Sequence, residues 1–220
     1  MRTRIAIVMA CGLVSAALAA QPPSSPPLRL QAAVGSGAPA ATEWDLDGTG
    51  KWAVRDNLLV LEAAGTPAPA GKIRRPSALA VLRSAPFGDL TLSAEVRCTA
   101  AMPDKTPRRD VELIFGYQSP TRFYYVHLSA TRDDVHNGIF VVNDADRRRI
   151  DTKSDVPILQ DQAWHTVRVR RVLATGRIEV FADDRAEPIM IATDTTLGAG
   201  RVGVGSFDDT GEFRAIRVTK

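Results

Sequence analysis

The chain has 220 residues, 45% of them apolar, 24% charged and 6% aromatic, with a formal net charge of +3. That is one domain of ordinary size with room for a short tail, and it excludes collagen-like, coiled-coil and wholly disordered chains. Two cysteines exclude a disulfide scaffold, and the near-neutral balance leaves nucleic acid no electrostatic footprint.

The amino terminus reads as a secretory signal over residues 1–20. Met1-Arg2-Thr3-Arg4 is basic, Ile5 to Leu18 is mostly apolar, and Ala17-Leu18-Ala19 offers a small-x-small cleavage pattern. The apolar run is too short and too rich in small residues for a comfortable membrane span, and no later stretch approaches one. Val8-Met9-Ala10-Cys11 loosely resembles a lipoprotein processing box, a rival that leaves only a short apolar core and would anchor the chain at Cys11. Cleavage near Ala19 or Ala20 removes Arg2, Arg4 and Cys11, leaving 26 basic against 25 acidic residues and Cys98 as the one cysteine. The expectation is a periplasmic or extracellular protein held together by its core. Residues 21–42, from Gln21-Pro22-Pro23 through Ala40-Ala41-Thr42, form a Pro/Ala/Ser-rich tract. It buries too little apolar surface to order itself and reads as a flexible linker or a terminus without a role. The folded unit is residues 43–220.

Within that unit the apolar period is two. Leu90, Leu92, Ala94, Val96 and Cys98 share one parity, and Thr91, Ser93, Glu95 and Arg97 the other, which marks a half-buried strand with Cys98 inward. Val167 and Val169 repeat the pattern after His165, and Arg177–Phe181 follows the turn Ala174-Thr175-Gly176 as a hairpin. Glu179 then faces Arg168 or Arg170 across it. Further strands are expected at 58–62, 78–83, 111–117, 123–129, 138–143, 201–207 and 213–218. Asn137-Gly138 and Asn143-Asp144-Ala145-Asp146 supply turn chemistry between them, and Asp45-Leu46-Asp47-Gly48 reads as another turn. No window holds a capped 3.6-residue period. The fold class is all-β: about ten short strands in an antiparallel two-sheet sandwich.

Several phrases together resemble the concanavalin A-like jelly rolls. Phe115-Gly116-Tyr117-Gln118-Ser119-Pro120 with Phe123-Tyr124-Tyr125-Val126-His127-Leu128 is similar to their paired strands, and Trp164-His165-Thr166-Val167 to the strand shared with laminin-G-like domains. Gly176-Arg177-Ile178-Glu179-Val180-Phe181-Ala182-Asp183 resembles the strand that follows. The ending Gly200–Phe207 and Glu212–Val218 is similar to the close of the bacterial 3-keto-disaccharide hydrolase-like family. The resemblance covers about Trp44 to Val218 and implies a jelly roll whose curved sheet binds or cleaves carbohydrate. One departure matters: the paired-carboxylate strand of family 16 glycoside hydrolases is absent. Asp110-Val111-Glu112 supplies two acids and stops, which argues against retaining glycosidase chemistry.

With Val126 and Leu128 inward, Tyr125 and His127 point outward, and Glu112 joins them from the neighbouring strand. Rings with donors and acceptors suit a sugar, whereas rings under a covered face would be packing alone. The loop from Thr131 to Gly138 gathers Asp133, Asp134, His136 and Asn137. It reads either as an Asx-bonded turn, as a ligand contact, or as a site for Ca²⁺ or another divalent metal with Asp134 and His136 as ligands. Asp208 and Asp209 are a second acidic turn, after a strand whose Gly203 and Gly205 permit close approach. Arg147-Arg148-Arg149 reads as a solvated edge, and His165 as structural.

The leading expectation is an exported domain binding an oligo- or polysaccharide on its concave sheet through Glu112, Arg122, Tyr125, His127, Asp134, His136, Asn137, Asp208 and Asp209. It would be a monomer or part of a surface assembly. A second reading, implied by the resemblance, is an enzyme cleaving 3-keto glycosides with His127 or Glu112 as catalytic base. A third is a laminin-G-like protein-interaction module.

Overall fold

A computed structural model describes residues 43–101 and 109–220; the expected signal segment, linker and Cys11 lie outside the described residues. The described chain forms β1 (Trp44–Gly48), β2 (Lys51–Arg55), β3 (Leu58–Ala63), β4 (Ala78–Leu82), β5 (Leu90–Cys98), β6 (Asp110–Ser119), β7 (Arg122–Ser129) and β8 (Gly138–Asn143). It continues as β9 (Arg148–Arg149), β10 (Asp151–Ser154), β11 (His165–Val172), β12 (Arg177–Ala182), β13 (Met190–Thr193), β14 (Arg201–Ser206) and β15 (Gly211–Thr219). Every pairing is antiparallel. One sheet has seven strands, in the order β1-β4-β14-β6-β7-β8-β9, and the other eight, in the order β10-β13-β12-β11-β5-β15-β3-β2. No described helix is long and apolar enough to cross a membrane.

The strands read from alternation are present within a few residues. Short β1, β2, β9, β10 and β13 are additional, because partners across the ladder rather than their own pattern make them strands. The Asp45–Gly48 stretch is part of β1 and not a turn; Asp47 accepts both terminal nitrogens of Arg75 at 3.0 Å, and Asp45 pairs with Arg83 and Arg201. Arg170 lies opposite Glu179 in the β11–β12 hairpin, 3.6 Å away. Asn137 and Asp144 adopt the left-handed backbone, φ 51° and 54°, that Asn and Asp tolerate best in turns.

The eight-stranded sheet is apolar on one face only, so β5 alternates buried and half-buried along its whole length. Leu92, Val96 and Cys98 meet Val111, Leu113, Phe115, Tyr124, Val126 and Leu128 of the other sheet in the central core. Burial pushes the Cys98 thiol up to about 11, so it behaves as a small apolar group. The seven-stranded sheet is different: the first eight residues of β6 are all buried. Its far side carries a second apolar cluster, Leu79, Val81, Ile114, Tyr117, Phe123, Tyr125, Phe140, Val142 and Phe207, with Ile73 packed on it. Ile73 belongs to the long connection from β3 to β4, which is tied down near its β4 end. The Arg74 amide donates to Asp146 at 2.8 Å, and the Ser77 hydroxyl donates to the Phe207 carbonyl.

Polar anchors complete the sandwich. The buried Arg171 donates to the carbonyls of Gly198 and Leu197 and lies 4.8 Å from the Tyr124 ring centre. Tyr124 donates to Asp194 at 2.6 Å and accepts the Leu197 amide at 2.8 Å. Burial works against the Asp194 charge, but bonds from Tyr124, Thr196 and Arg148 hold its carboxyl below the usual range. Gly203 and Gly205 serve strand contact rather than a ligand: a Cβ on Gly203 would lie 2.4 Å from the Ala80 carbonyl oxygen of β4.

Gly203→Ala is accordingly expected to cost about 3 kcal/mol by overpacking, read as a lower denaturant midpoint; an unchanged midpoint would contradict this β4–β14 approach. Asp194→Asn is expected to cost about 1–2 kcal/mol at neutral pH. Because the folded carboxyl titrates below its unfolded value of about 3.8, its stabilisation is present above that pH and lost on further acidification. The gap between wild type and variant should therefore close as the pH falls below that value.

Candidate functional site

At the carboxyl end of β7 the outer face of the seven-stranded sheet changes from apolar to polar. β6 and β7 pair with Glu112 opposite His127 and Asp110 opposite Ser129, so strand parity puts all three ionisable side chains on that outer face. The expected parity holds, but the face is not open to water. Tyr125 and Glu112 are 0% exposed and His127 1%. The reason is the second layer. Phe207 stacks on His127 with centroids 5.5 Å apart, Phe140 stacks on Tyr125 at 5.3 Å, and Arg147 lies over Phe207 at 4.3 Å and bonds the Tyr125 hydroxyl at 3.2 Å. Arg147 is thus a cap and not part of a solvated edge. Arg149 likewise folds back, donating to the Asn137 carbonyl and pairing with Asp151.

Beneath this cap the His127 Nε2 atom lies 3.8 Å from Asp110 Oδ2 and 3.8 Å from Glu112 Oε1. Asp110 has other partners: its carboxylate accepts the Phe207 amide at 2.8 Å and the Ser206 hydroxyl at 3.2 Å. Burial opposes its charge, but the neighbouring His127 and Glu112 and the Phe207 amide hold its carboxyl below the ordinary range. Burial pushes His127 down to about 4, so the imidazole is neutral at pH 7. Glu112 is raised well above its usual value, first by burial and then by the Asp110 charge. Neither Glu112 oxygen has a hydrogen-bond donor. Asp209 is pushed up to about 7 by burial and the same Asp110 charge, and its Oδ2 accepts the Asp110 amide at 2.9 Å.

The other expected residues are distributed differently. Asp208 is exposed at the mouth of a cleft. Asp134 is exposed and lines a second cleft of about 440 Å³ with Arg132, Arg149 and Asp151. Of the metal pair expected in this loop, Asp134 lines that cleft while His136 pairs with Asp133 at 2.7 Å and its ring approaches His127, with centroids 5.4 Å apart. Asn137 is buried and binds the Ser154 hydroxyl and the Asp155 carbonyl, holding the loop. Arg122 pairs with Asp144 at the far end of β7, five residues from His127 and so about 16 Å along the strand. His165 is structural, bonded to Asp161 and Asp183. One continuous sheet-face surface containing all nine expected residues is therefore not present.

What the sequence reading missed is the covering layer and the rim it creates. Between the β3–β4 connection and the turn after β14 lies a cleft of about 330 Å³. Its walls include Pro67, Lys72, Arg74 and Asp146, with Phe207 and Asp208 on the side nearest the buried trio. The one legible signal was the Asp110-x-Glu112 spacing beside a strand carrying His127.

No protein-family model matches the sequence, and no curated protein matches it, so the resemblance read from its strand motifs stands at the level of fold. Solved structures do match. The carbohydrate-binding module CBM66 from Bacillus subtilis is 17% identical, covers 81% of this chain and 96% of its own, and superposes with a TM-score of 0.58. A seed lectin of Lotus tetragonolobus, 11% identical, covers 83% of this chain and 94% of its own with a TM-score of 0.53. The carbohydrate recognition domain of Emp46p, in a metal-free form, is 12% identical and covers 80% of this chain and 88% of its own with a TM-score of 0.52. The chain folds as a concanavalin A-like jelly roll, the two-sheet architecture of these lectins and of the binding module.

Proposed function

We propose that the domain is a carbohydrate-recognition module that takes its glycan at the rimmed cleft between residues 67–75 and the turn after β14. The observation that carries this reading is the chemistry of that cleft. Lys72 and Arg74 offer charged donors, Asp146 and Asp208 offer acceptors, and the Phe207 ring offers an apolar wall within one cavity of about 330 Å³. A sugar has the matching set, hydroxyls that both donate and accept and a C–H face that packs on a ring. Burial and the Asp110 charge raise the Asp208 carboxyl, whose oxygens accept from a sugar hydroxyl. The named functions of the B. subtilis module and of Emp46p support a glycan as the ligand class. The sealed state of Glu112 and His127 favours recognition at the rim over catalysis on the sheet face. The amino-terminal signal read in the sequence would carry the module out of the cytoplasm, where polysaccharide is met.

A glycan array followed by calorimetry tests the reading. Lys72→Ala with Arg74→Ala, and separately Asp208→Asn, are expected to weaken binding about tenfold or more, since a bond to a charged group contributes about 1.5–3 kcal/mol. These positions are exposed, so melting temperature should be unchanged. Arg217→Ala, exposed on the eight-stranded sheet, is expected to bind as wild type. Silence across the array, or affinity indifferent to the cleft variants, would overturn the proposal.

A further inference from the structure

We propose that Asp110, Glu112 and His127 form a binding site for one divalent transition-metal ion of the zinc or manganese class. This inference is independent of the glycan reading. Among the described residues these three are the one group of His, Cys, Asp or Glu side chains whose ligand atoms all converge, lying within 4.8 Å of one another. The His127 Nε2 contacts to both carboxylates, 3.8 Å each, are too long for hydrogen bonds. They are close to the span between two ligands held on bonds of about 2.2 Å opened to roughly 120° around an ion.

A second, separate observation points the same way. Both oxygens of Glu112 and the Nε2 atom of His127 are buried without a hydrogen-bond partner, although Glu112 is 0% and His127 1% exposed. A buried carboxyl group normally finds donors, and its absence of any is costly. What faces Glu112 is Asp110, an acceptor like itself, and an imidazole nitrogen. Only a shared proton or a cation joins such a set. The surrounding charge favours the cation: Asp208 and Asp209 add two further carboxyls. Arg147 faces the group, 3.4 Å from His127 Nδ1, and Arg74 acts on Asp208 from the rim. Four acids against these two guanidinium groups leave an excess that a divalent ion offsets.

The support around the trio is of the kind metal ligands require. Asp110 is oriented by the Phe207 amide and the Ser206 hydroxyl, and the Val135 backbone accepts from the His127 ring. Two carboxylate oxygens with one imidazole nitrogen suit Zn²⁺ or Mn²⁺, whereas Ca²⁺ and Mg²⁺ take oxygen ligands. The Phe207 ring that stacks on His127 also lines the rimmed cleft.

The test uses the full chain, stripped with chelator and then titrated separately with ZnCl₂ and MnCl₂. Calorimetry gives stoichiometry, elemental analysis gives bound metal, and a melting curve gives the response. The proposal expects close to one ion per chain for at least one metal and a rise of several degrees in melting temperature. Glu112→Gln should lose that response and weaken affinity about tenfold or more. Without metal, Glu112→Gln should melt at or above the stripped wild type, because an amide replaces an uncompensated buried acid. His127→Gln supplies a second ligand deletion, and the stripped wild type decides the matter even where a variant folds poorly. No stoichiometric binding of either ion, or a Glu112→Gln chain that binds as wild type, would overturn the site and leave a shared proton as its occupant. Glycan affinity, measured in parallel, reports on the other proposal alone.

Discussion

The structure depends on a sheet that is covered twice. The seven-stranded sheet packs one face into the central core and receives on the other Phe207, Arg147 and Ile73 of the β3–β4 connection. Transfer of apolar surface out of water favours that second layer, at about 25 cal/mol for each Å² removed. The cost falls on the polar side chains that share the face. Asp110, Glu112 and His127 are drawn under the cover with the aromatic residues, and a buried ionisable group without partners is expensive.

That cost organises the chemistry of the neighbourhood. Asp110 is the centre of it, because its carboxylate satisfies the amide and hydroxyl donors of the turn after β14 while its charge reaches Glu112, Asp208 and Asp209. Desolvation then pushes the groups apart in character: one carboxylate ionised, one carboxyl raised, one imidazole neutral. Arg147 completes the arrangement by placing a guanidinium over the aromatic rings, which seals the face and limits the accumulated negative charge. The same cover closes the sheet face and leaves the rim open. There the connection leaves a cleft and exposes Lys72, Arg74 and Asp208 together.

Much of this was legible in the residues. The two-residue period of Leu90–Cys98 and of Val167–Val169 gave strands, hairpin and the inward Cys98, and Val126 with Leu128 correctly set Tyr125 and His127 on the opposite face. Asp110-x-Glu112 was noticed as a pair at strand spacing, but its third member came from the next strand, and strand register decided the match. The covering layer was illegible for a physical reason. Residues 64–76 are rich in Pro, Ala and Gly and have no periodicity, so nothing local says that Ile73 will find an apolar face. Arg147 misled in the same way, since a run of three arginines normally points to solvent and here two of the three fold back over rings and carbonyls.

What the chain's order of residues determined by itself was the alternation, and through it the all-β class, the turns and which side of each strand every side chain takes. Those are local matters, set by backbone sterics and the pleat of two residues. Whether a side chain meets water depends on what arrives from elsewhere in the chain. Only the packed sandwich decided that Tyr125 and His127 would lie beneath Phe207 and Arg147, and that two acids and a histidine would converge in the dark between them.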